Sequence, residues 1–397
     1  MSLNNVHTWS IDYLFEKFIR IFFILMLIEL VIGGGGRFFE IGPITLRMVF
    51  YFLAIPLSFV CIFLKQRVNQ NMVYWVLFFA VTLVLGIVVG VLNGNPPDLI
   101  IEDVKPILFF LVLPFFSTVI QENKDVDIVI RIIKMSSLFL GIAYILIVIF
   151  LFLGIINLVW FYAYVSTFGE IFFRGEGLFF YKGFLYLCVG FFFFMVGSGK
   201  YNKLGAFILL IAIILTLTRG FILMTLIVTI FYFLFIYRNK VISLIVFLSL
   251  VIGFFAALPF YLESIGDKAE SDMVRIYTLD EIVEKTNPFN FFIGDGFGKG
   301  VPIRPVHMEV SYMEIFSKQG ALGILFWLLL LIYITYKYFS IYKDKERLNY
   351  MAPFYLSVLF VYMQSLTNPF INNPIGMSMV LISLSVLETS KKHSIEI

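Results

Sequence analysis

Long apolar runs separated by short polar segments follow one another along the whole chain. The runs are about 17–25 residues long, the length that a helix needs to cross a bilayer, and they do not alternate like the strands of a membrane barrel. Helices satisfy their backbone hydrogen bonds internally, which lipid demands. We therefore predict an all-α polytopic fold with twelve transmembrane helices, at residues 16–34, 45–64, 72–93, 100–120, 128–153, 181–198, 204–219, 220–237, 241–258, 319–338, 351–368 and 374–390.

The seventh and eighth spans are separated only by Thr218-Arg219-Gly220. Their combined run, residues 204–237, is too long for one crossing, which takes about 20 residues. We predict that the chain turns back in a tight hairpin at this tripeptide.

Basic residues gather at alternate ends of the predicted spans, which indicates that those ends are cytoplasmic. The opposite short connections, Asn93 to Glu102 and Asn368 to Pro374, are nearly free of lysine and arginine. This pattern predicts that both termini are cytoplasmic. The residues that carry it are Lys17, Arg20, Lys65, Arg67, Lys124, Arg131, Lys134, Lys200, Lys203, Arg238, Lys240, Lys337, Lys343, Lys345, Arg347, Lys391 and Lys392.

Two longer segments fall on the outer side, at 158–182 and 259–318. We predict one integral membrane domain, residues 1–397, with 259–318 as a large periplasmic loop between the ninth and tenth helices. Within that loop Ile276, Leu279 and Ile282 recur at helical spacing, which predicts an amphipathic helix. Long ordered loops in compact folds are usually functional.

Composition agrees with a lipid-embedded chain, since 61% of residues are hydrophobic and 14% are charged. A soluble protein has about a quarter charged residues, and 49 phenylalanines would leave large apolar patches in water. The net charge of +3 is too small to indicate nucleic-acid binding. Cys61 and Cys188 both lie in apolar runs, so we expect buried thiols rather than a disulfide or metal pair.

Arg219 is a candidate anion ligand at the outer mouth of two apolar spans. Its guanidinium matches phosphate oxygens bidentately, although an arginine at a helix end can equally extend to the headgroups. Arg275 in the outer loop is a second candidate. The simpler interpretation of Arg275 is an ion pair with Asp272, one helical turn away.

His307 is one of three histidines in the chain, and the other two lie near the termini. It follows the glycine-rich segment Gly294–Gly300 and precedes Glu309, Tyr312 and Glu314. An imidazole is the natural general base near neutral pH, although an incidental loop histidine is as common. The glycine segment lacks the strand and helix that flank a nucleotide-binding loop, so we assign it no nucleotide.

Lys105 and Arg174 also lie near the predicted outer face, where each is either an interfacial anchor or part of a site. Together with Arg219 and Arg275 they would form a cationic pocket at the membrane surface. Such a pocket suits a lipid-linked anion such as a polyprenyl diphosphate.

With these motifs the chain resembles the O-antigen ligase and polymerase family of bacterial polysaccharide assembly. The resemblance lies in the order of Thr218-Arg219-Gly220, Arg275, Gly294-Asp295-Gly296-Phe297-Gly298 and His307, followed by Glu314 to Gly323 before the next helix. It covers roughly residues 205–335, and Arg174 before Gly177-Leu178-Phe179 is a less specific feature.

The resemblance implies a membrane glycosyltransferase of the C-type architecture that needs no cofactor, neither a metal nor a sugar nucleotide. It implies that Arg219 and Arg275 hold the pyrophosphate of an undecaprenyl-linked glycan and that His307 deprotonates the acceptor. Arg174, Lys105, Glu309 and Tyr312 are the further candidates for substrate binding. The expected partners are the lipid bilayer, the undecaprenyl-diphosphate-linked oligosaccharide and a polysaccharide chain-length regulator, with no nucleic acid.

Three functions remain open from the sequence. A polymerase joins lipid-linked repeat units, and a ligase moves the finished chain to lipid A-core. Met308 follows His307 where ligases usually carry asparagine, and the Phe-, Ile- and Tyr-rich composition is typical of polymerase gene clusters, so both features favour the polymerase. A flippase for the same lipid-linked units would place charges in mid-membrane, whereas the mid-span positions here are almost all apolar.

Overall fold

The structure is a computed structural model that describes residues 11–37, 40–42, 44–65, 69–173, 177–197, 199–265 and 269–389. The first half of the fold contains the helices α1 (Ile11–Ile32), α2 (Leu46–Lys65), α3 (Gln70–Leu92), α4 (Pro97–Ile107), α5 (Leu113–Val119), α6 (Asn123–Phe152), α7 (Leu158–Ser166) and α8 (Leu185–Val196). The second half contains α9 (Lys200–Leu215), α10 (Arg219–Phe231), α11 (Lys240–Ile265), α12 (Ala269–Lys285), α13 (Pro288–Ile293), α14 (Ser311–Phe339), α15 (Lys345–Gln364) and α16 (Pro374–Thr389).

Strands contribute two small antiparallel hairpins to the described residues. They are formed by β1 (Glu40–Ile41) with β2 (Ile44–Thr45), and by β3 (Ile171–Phe173) with β4 (Phe179–Tyr181). Short 3₁₀ turns occupy Leu108–Val112 and Lys182–Phe184, and a π-helical turn, Tyr232–Ile236, extends α10.

Among the described residues, five helical segments are long and apolar enough to cross a membrane. They are Leu46–Leu64, Gln70–Leu92, Asn123–Phe152, Arg219–Ile236 and Ser311–Phe339. Shorter apolar helices occupy Lys182–Val196, Lys240–Gly253 and Pro374–Thr389. Each predicted span overlaps a helix or a broken helix, and the chain is an all-α, multi-pass membrane protein.

The predicted span 100–120 is not one helix but α4, a 3₁₀ turn and α5. Pro106 and Pro114 lie in this stretch, and proline lacks the backbone N–H that a continuous helix needs. The predicted hairpin at 218–220 is a turn formed by Thr216 to Thr218, which separates α9 from α10.

Burial is inverted relative to a soluble protein. Large apolar side chains such as Phe63, Leu92 and Leu153 are among the most exposed on the surface, as expected for groups that face lipid. The helices α8 and α16 are buried along almost their whole length and form the centre of the bundle. Cys61 and Cys188 are both free and buried, as expected.

Much of the predicted loop 259–318 is helical. The helix α11 continues through Pro259 to Ile265, α12 includes the predicted amphipathic helix, and α14 begins at Ser311. Ile282 of α12 is buried against Val301 and Met308. The other outer segment folds into α7 and the hairpin of β3 and β4. Three of the residues used to orient the chain, Arg67, Lys391 and Lys392, lie outside the described residues.

Candidate active site

The glycine-rich segment after α13 fastens the site to the bundle. Gly296 has φ +80°, and a Cβ there would lie 2.1 Å from the backbone nitrogen of Gly90 in α3. Only glycine tolerates both this conformation and this close approach. The next residue, Phe297, is fully buried and donates its backbone N–H to the carbonyl of Gly86. The glycines therefore serve backbone packing and do not form a phosphate loop.

Helix α14 is kinked at Gly320, where φ is +63°. A Cβ at this position would lie 2.4 Å from the backbone of Phe292 in α13. The carbonyls of Ser317 and Lys318 beside the kink accept hydrogen bonds from the amides of Asp295 and Gly296. The kink thus joins the glycine segment to the first turns of α14.

Lys318 is the centre of a buried ionic network. Its ammonium lies 2.7 Å from Oδ1 of Asp103 in α4 and 2.6 Å from Oε1 of Glu314, and it donates to the carbonyl of Val306 at 3.0 Å. The second oxygen of Asp103 accepts from the amide of Gly298 at 2.7 Å. Buried charges are tolerated when they are paired and hydrogen-bonded in this way.

The same network extends through Glu314 to the segment between α15 and α16. Its Oε2 accepts a hydrogen bond from Asn372 at 2.6 Å, and Ser311 donates to the amide oxygen of Asn372. Residues from α4, α14 and the segment before α16 are therefore fixed relative to one another.

His307 lies against this network with its side chain about half exposed. Its Nδ1 faces Oδ1 of Asp103 and Oε1 of Glu314, each at 3.7 Å, while Nε2 lies 3.3 Å from Oε1 of the exposed Glu102. The Glu314 carboxylate, with a smaller contribution from Asp103, raises the pKa of His307 above its ordinary value, against the opposing effects of burial and Lys318.

A cavity of about 240 Å³ opens beside His307, and we call it the histidine cavity. Its lining consists of Asp103, Pro106, Ile107, Phe297, His307, Met308, Glu314, Ile315, Lys318, Gln319, Pro369, Asn372 and Asn373.

Asp103, His307 and Glu314 are the residues of this site that could ligate a metal, since each offers one atom within 4.8 Å of the others. The ammonium of Lys318, however, contacts both carboxylates directly. A fixed cation already supplies the positive charge that these two groups need, so we assign the cluster no metal.

Three arginines form a second group, which we call the arginine cluster: Arg219, Arg275 and Arg304 with the carboxylates of Asp272 and Glu309. Asp272 lies 3.0 Å from Arg275 and 3.9 Å from Arg219. Glu309 bridges Arg275 at 3.0 Å and Arg304 at 2.6 Å. About a third of each guanidinium side chain is exposed. The cluster therefore presents three cations to a ligand from outside.

Among the predicted site residues, Arg219, Arg275 and Glu309 lie in one cluster, and His307 lies on the same segment as Glu309. Lys105 lies on α4 but is exposed, and it forms no ion pair with any residue that the structure describes. The hydroxyl of Tyr312 donates to the carbonyl of Tyr362 at 2.8 Å, which ties α14 to α15. Arg174 lies outside the described residues.

Sequence analysis missed Glu102, Asp103, Lys318 and Arg304. One local signal was present, because Glu314 and Lys318 are spaced at i, i+4 beside an apolar run, the spacing of a helical ion pair. Their partner Asp103 lies 215 residues from Lys318 in the chain, so no local pattern connects it to them.

No family model matches the sequence. A curated relative does match: the chain is 31% identical over 372 residues to an O-antigen polymerase of Shigella flexneri, which covers 91% of this chain and 92% of the relative. The chain belongs to the O-antigen polymerase family. The alignment extends over most of both chains.

Proposed function

We propose that the protein is an O-antigen polymerase that joins undecaprenyl-diphosphate-linked oligosaccharide repeat units at the periplasmic face of the bacterial inner membrane, with both termini cytoplasmic. The single observation that carries the proposal is that one segment, residues 294–310, bears both a carboxylate-oriented histidine and part of an exposed arginine cluster. A glycosyl transfer from a lipid diphosphate needs these two parts, a base and a stabiliser of the departing anion.

His307 acts as the base in this proposal. In the basic form the proton is on Nδ1, which faces the Asp103 and Glu314 carboxylates at 3.7 Å, and Nε2 accepts the proton of the acceptor hydroxyl. The hydroxyl oxygen then forms a bond to the anomeric carbon of the donor glycan. Glu102, 3.3 Å from Nε2, stabilises the imidazolium that results.

The arginine cluster takes the leaving group. As the bond between the anomeric carbon and the diphosphate oxygen breaks, negative charge builds on undecaprenyl diphosphate. Arg219 and Arg275 stabilise it through bidentate contacts, in which phosphate oxygens replace the carboxylates of Asp272 and Glu309. The glycosyl–diphosphate bond is already activated, so the reaction requires no sugar nucleotide.

Two alternative functions, ligase and flippase, have less support than polymerase. A ligase would use the same chemistry with a core sugar as acceptor, but the aligned relative is named a polymerase. A flippase has no use for a histidine oriented by buried carboxylates. A chain-length regulator is a further proposed partner, as the family resemblance implies.

The test is complementation of a strain that lacks the gene, read on gels of surface polysaccharide. Arg219→Ala, Arg275→Ala and His307→Ala are expected to insert normally yet leave lipid A-core with a single repeat unit. Arg131→Ala, an exposed arginine on α6, is the matched control and should give the wild-type ladder. Bare core with accumulated lipid-linked polymer would identify a ligase instead, and a normal ladder from all three variants would refute the proposed site.

A further inference from the structure

We propose that the histidine cavity binds the acceptor's terminal sugar ring, the ring whose hydroxyl attacks the donor, and that Gln319 recognises this ring by hydrogen bonding. The proposal rests on the proposed function and deepens it, because it separates the sugar site from the diphosphate site. Its ligand class is a neutral pyranose.

The charges around the cavity exclude an anion. With His307 in its neutral, basic form, Asp103 and Glu314 carry two negative charges against the one positive charge of Lys318. All three acceptors of the ammonium are protein atoms, namely Asp103, Glu314 and the carbonyl of Val306. A phosphate in this cavity would meet net negative charge and no uncommitted cation among the described residues, so the ligand is neutral.

Most other polar groups in the lining are already hydrogen-bonded. The amide of Asn372 is shared between Glu314 and Ser311. The amide of Asn373 donates to the carbonyl of Pro369 and accepts from the backbone of Ile375. These groups form the wall of the cavity and are not available to a ligand without rearrangement.

Gln319 is the exception. Only 7% of this residue is exposed, it lines the cavity, and its side-chain amide forms no hydrogen bond with the residues that the structure describes. Because Gln319 lines the cavity, a ligand there can supply the hydrogen bonds that its amide does not make to the protein. A sugar hydroxyl both donates and accepts, so it matches the donor and acceptor atoms of the glutamine amide.

The apolar part of the cavity lining suits the C–H face of a sugar ring. Ile107, Phe297 and Ile315 line the cavity with apolar surface against which the C–H groups of a pyranose can pack. Mostly apolar walls with a few fixed polar groups are typical of small-molecule sites. His307 lies at the same cavity, so a ring held by Gln319 presents a hydroxyl to the imidazole.

The experiment measures how fast diethyl pyrocarbonate modifies His307 in the purified full-length protein in nanodiscs, with peptide mass spectrometry to separate it from His7 and His393. The probes are the free repeat-unit oligosaccharide, released from lipid-linked intermediates by mild acid, and undecaprenyl diphosphate. We expect the oligosaccharide to slow modification at least threefold, whereas undecaprenyl diphosphate does not slow it. Both probes are compared on wild-type protein, so the result does not depend on whether a variant folds. Equal protection by both, or none by the oligosaccharide, would overturn the proposal.

Gln319→Met, which keeps the length and removes the amide, should weaken oligosaccharide protection about fivefold, the effect of one neutral hydrogen bond. Gln121→Met is the matched control, because Gln121 lines a different cavity. Undiminished protection in Gln319→Met would contradict the role of Gln319. Polymerisation of lipid-linked repeat units is measured on the same wild-type preparation. Activity without protection refutes the sugar site alone, and absence of activity refutes the proposed function.

Discussion

The histidine cavity and the arginine cluster share the segment before α14, yet they hold their charges in opposite ways. The side chains of Asp103 and Lys318 are 2% and 3% exposed and are linked by direct ion pairs. In the arginine cluster the guanidinium side chains are 33–37% exposed and pair with the carboxylates of Asp272 and Glu309. Buried pairs are fixed, and exposed pairs exchange partners at little cost.

This difference suits two tasks. A base must be held in one orientation and one tautomer, and the buried carboxylates that face Nδ1 of His307 at 3.7 Å favour a proton on that nitrogen. A site for a diphosphate must accept and release its ligand. Asp272 and Glu309 occupy the guanidinium edges that phosphate oxygens would take, and solvent makes their replacement inexpensive.

The largest effect is expected for His307→Ala in purified enzyme. Loss of general base catalysis costs about 10²–10⁴ in rate, so the initial rate of polymer formation should fall at least a hundredfold. Thermal unfolding should be nearly unchanged, since the side chain is half exposed. A residual rate within tenfold of wild type would mean that another group accepts the proton.

Lys318→Met tests the buried side of the comparison. It leaves Asp103 and Glu314 buried without their shared cation, and breaking such a network costs about 3–5 kcal/mol. We expect a clear fall in the thermal unfolding temperature in detergent. Adding Glu314→Gln to this variant should recover part of the loss. An unfolding temperature equal to wild type would show that the network does not stabilise the fold.

The pH dependence of the rate sharpens the account of His307. Its raised pKa means that the neutral, basic form appears at a higher pH than for an ordinary histidine, whose pKa is about 6.5. The rate should therefore rise with pH along a limb displaced above that value. Glu314→Gln removes the main cause of the increase, so its limb should move to lower pH. If Glu314→Gln left the pH profile of the rate unchanged, Glu314 would not be the cause of the raised pKa of His307.

The smallest effect is expected for Glu309→Gln, which removes a carboxylate from the exposed cluster. Exposed ion pairs contribute about 0–1 kcal/mol, so thermal unfolding should change little. The rate should change by less than about fivefold, because Arg275 and Arg304 keep their charges. A loss of stability as large as that of Lys318→Met would erase the contrast between the two regions.

The sequence predicted the partly exposed groups of both regions better than the buried ones. Arg219, Arg275 and His307 stand out because charged or titratable residues are rare next to long apolar runs, and α12 follows from the spacing of Ile276, Leu279 and Ile282. These signals depend on residues close together in the chain, so they can be read without knowing the tertiary structure.

What sequence reasoning could not supply is pairing across the bundle. Asp103 meets Lys318 because the kink at Gly320 and the close packing of Gly296 on α3 bring α14 towards α4. Those contacts depend on backbone geometry, which hydropathy does not encode. The prediction of 100–120 as a single span missed the break because it followed hydropathy, which does not register the helix-breaking effect of Pro106 and Pro114.

The central claim is that the two regions divide the work, and binding of undecaprenyl diphosphate tests it most directly. The affinity of the purified protein for this lipid is measured in nanodiscs, together with polymer formation, for wild type, His307→Ala and Arg275→Ala. We predict that His307→Ala binds the lipid like wild type but forms polymer at least a hundredfold more slowly, whereas Arg275→Ala binds the lipid at least tenfold more weakly. Equal binding by Arg275→Ala and wild type, or loss of binding in His307→Ala, would contradict it.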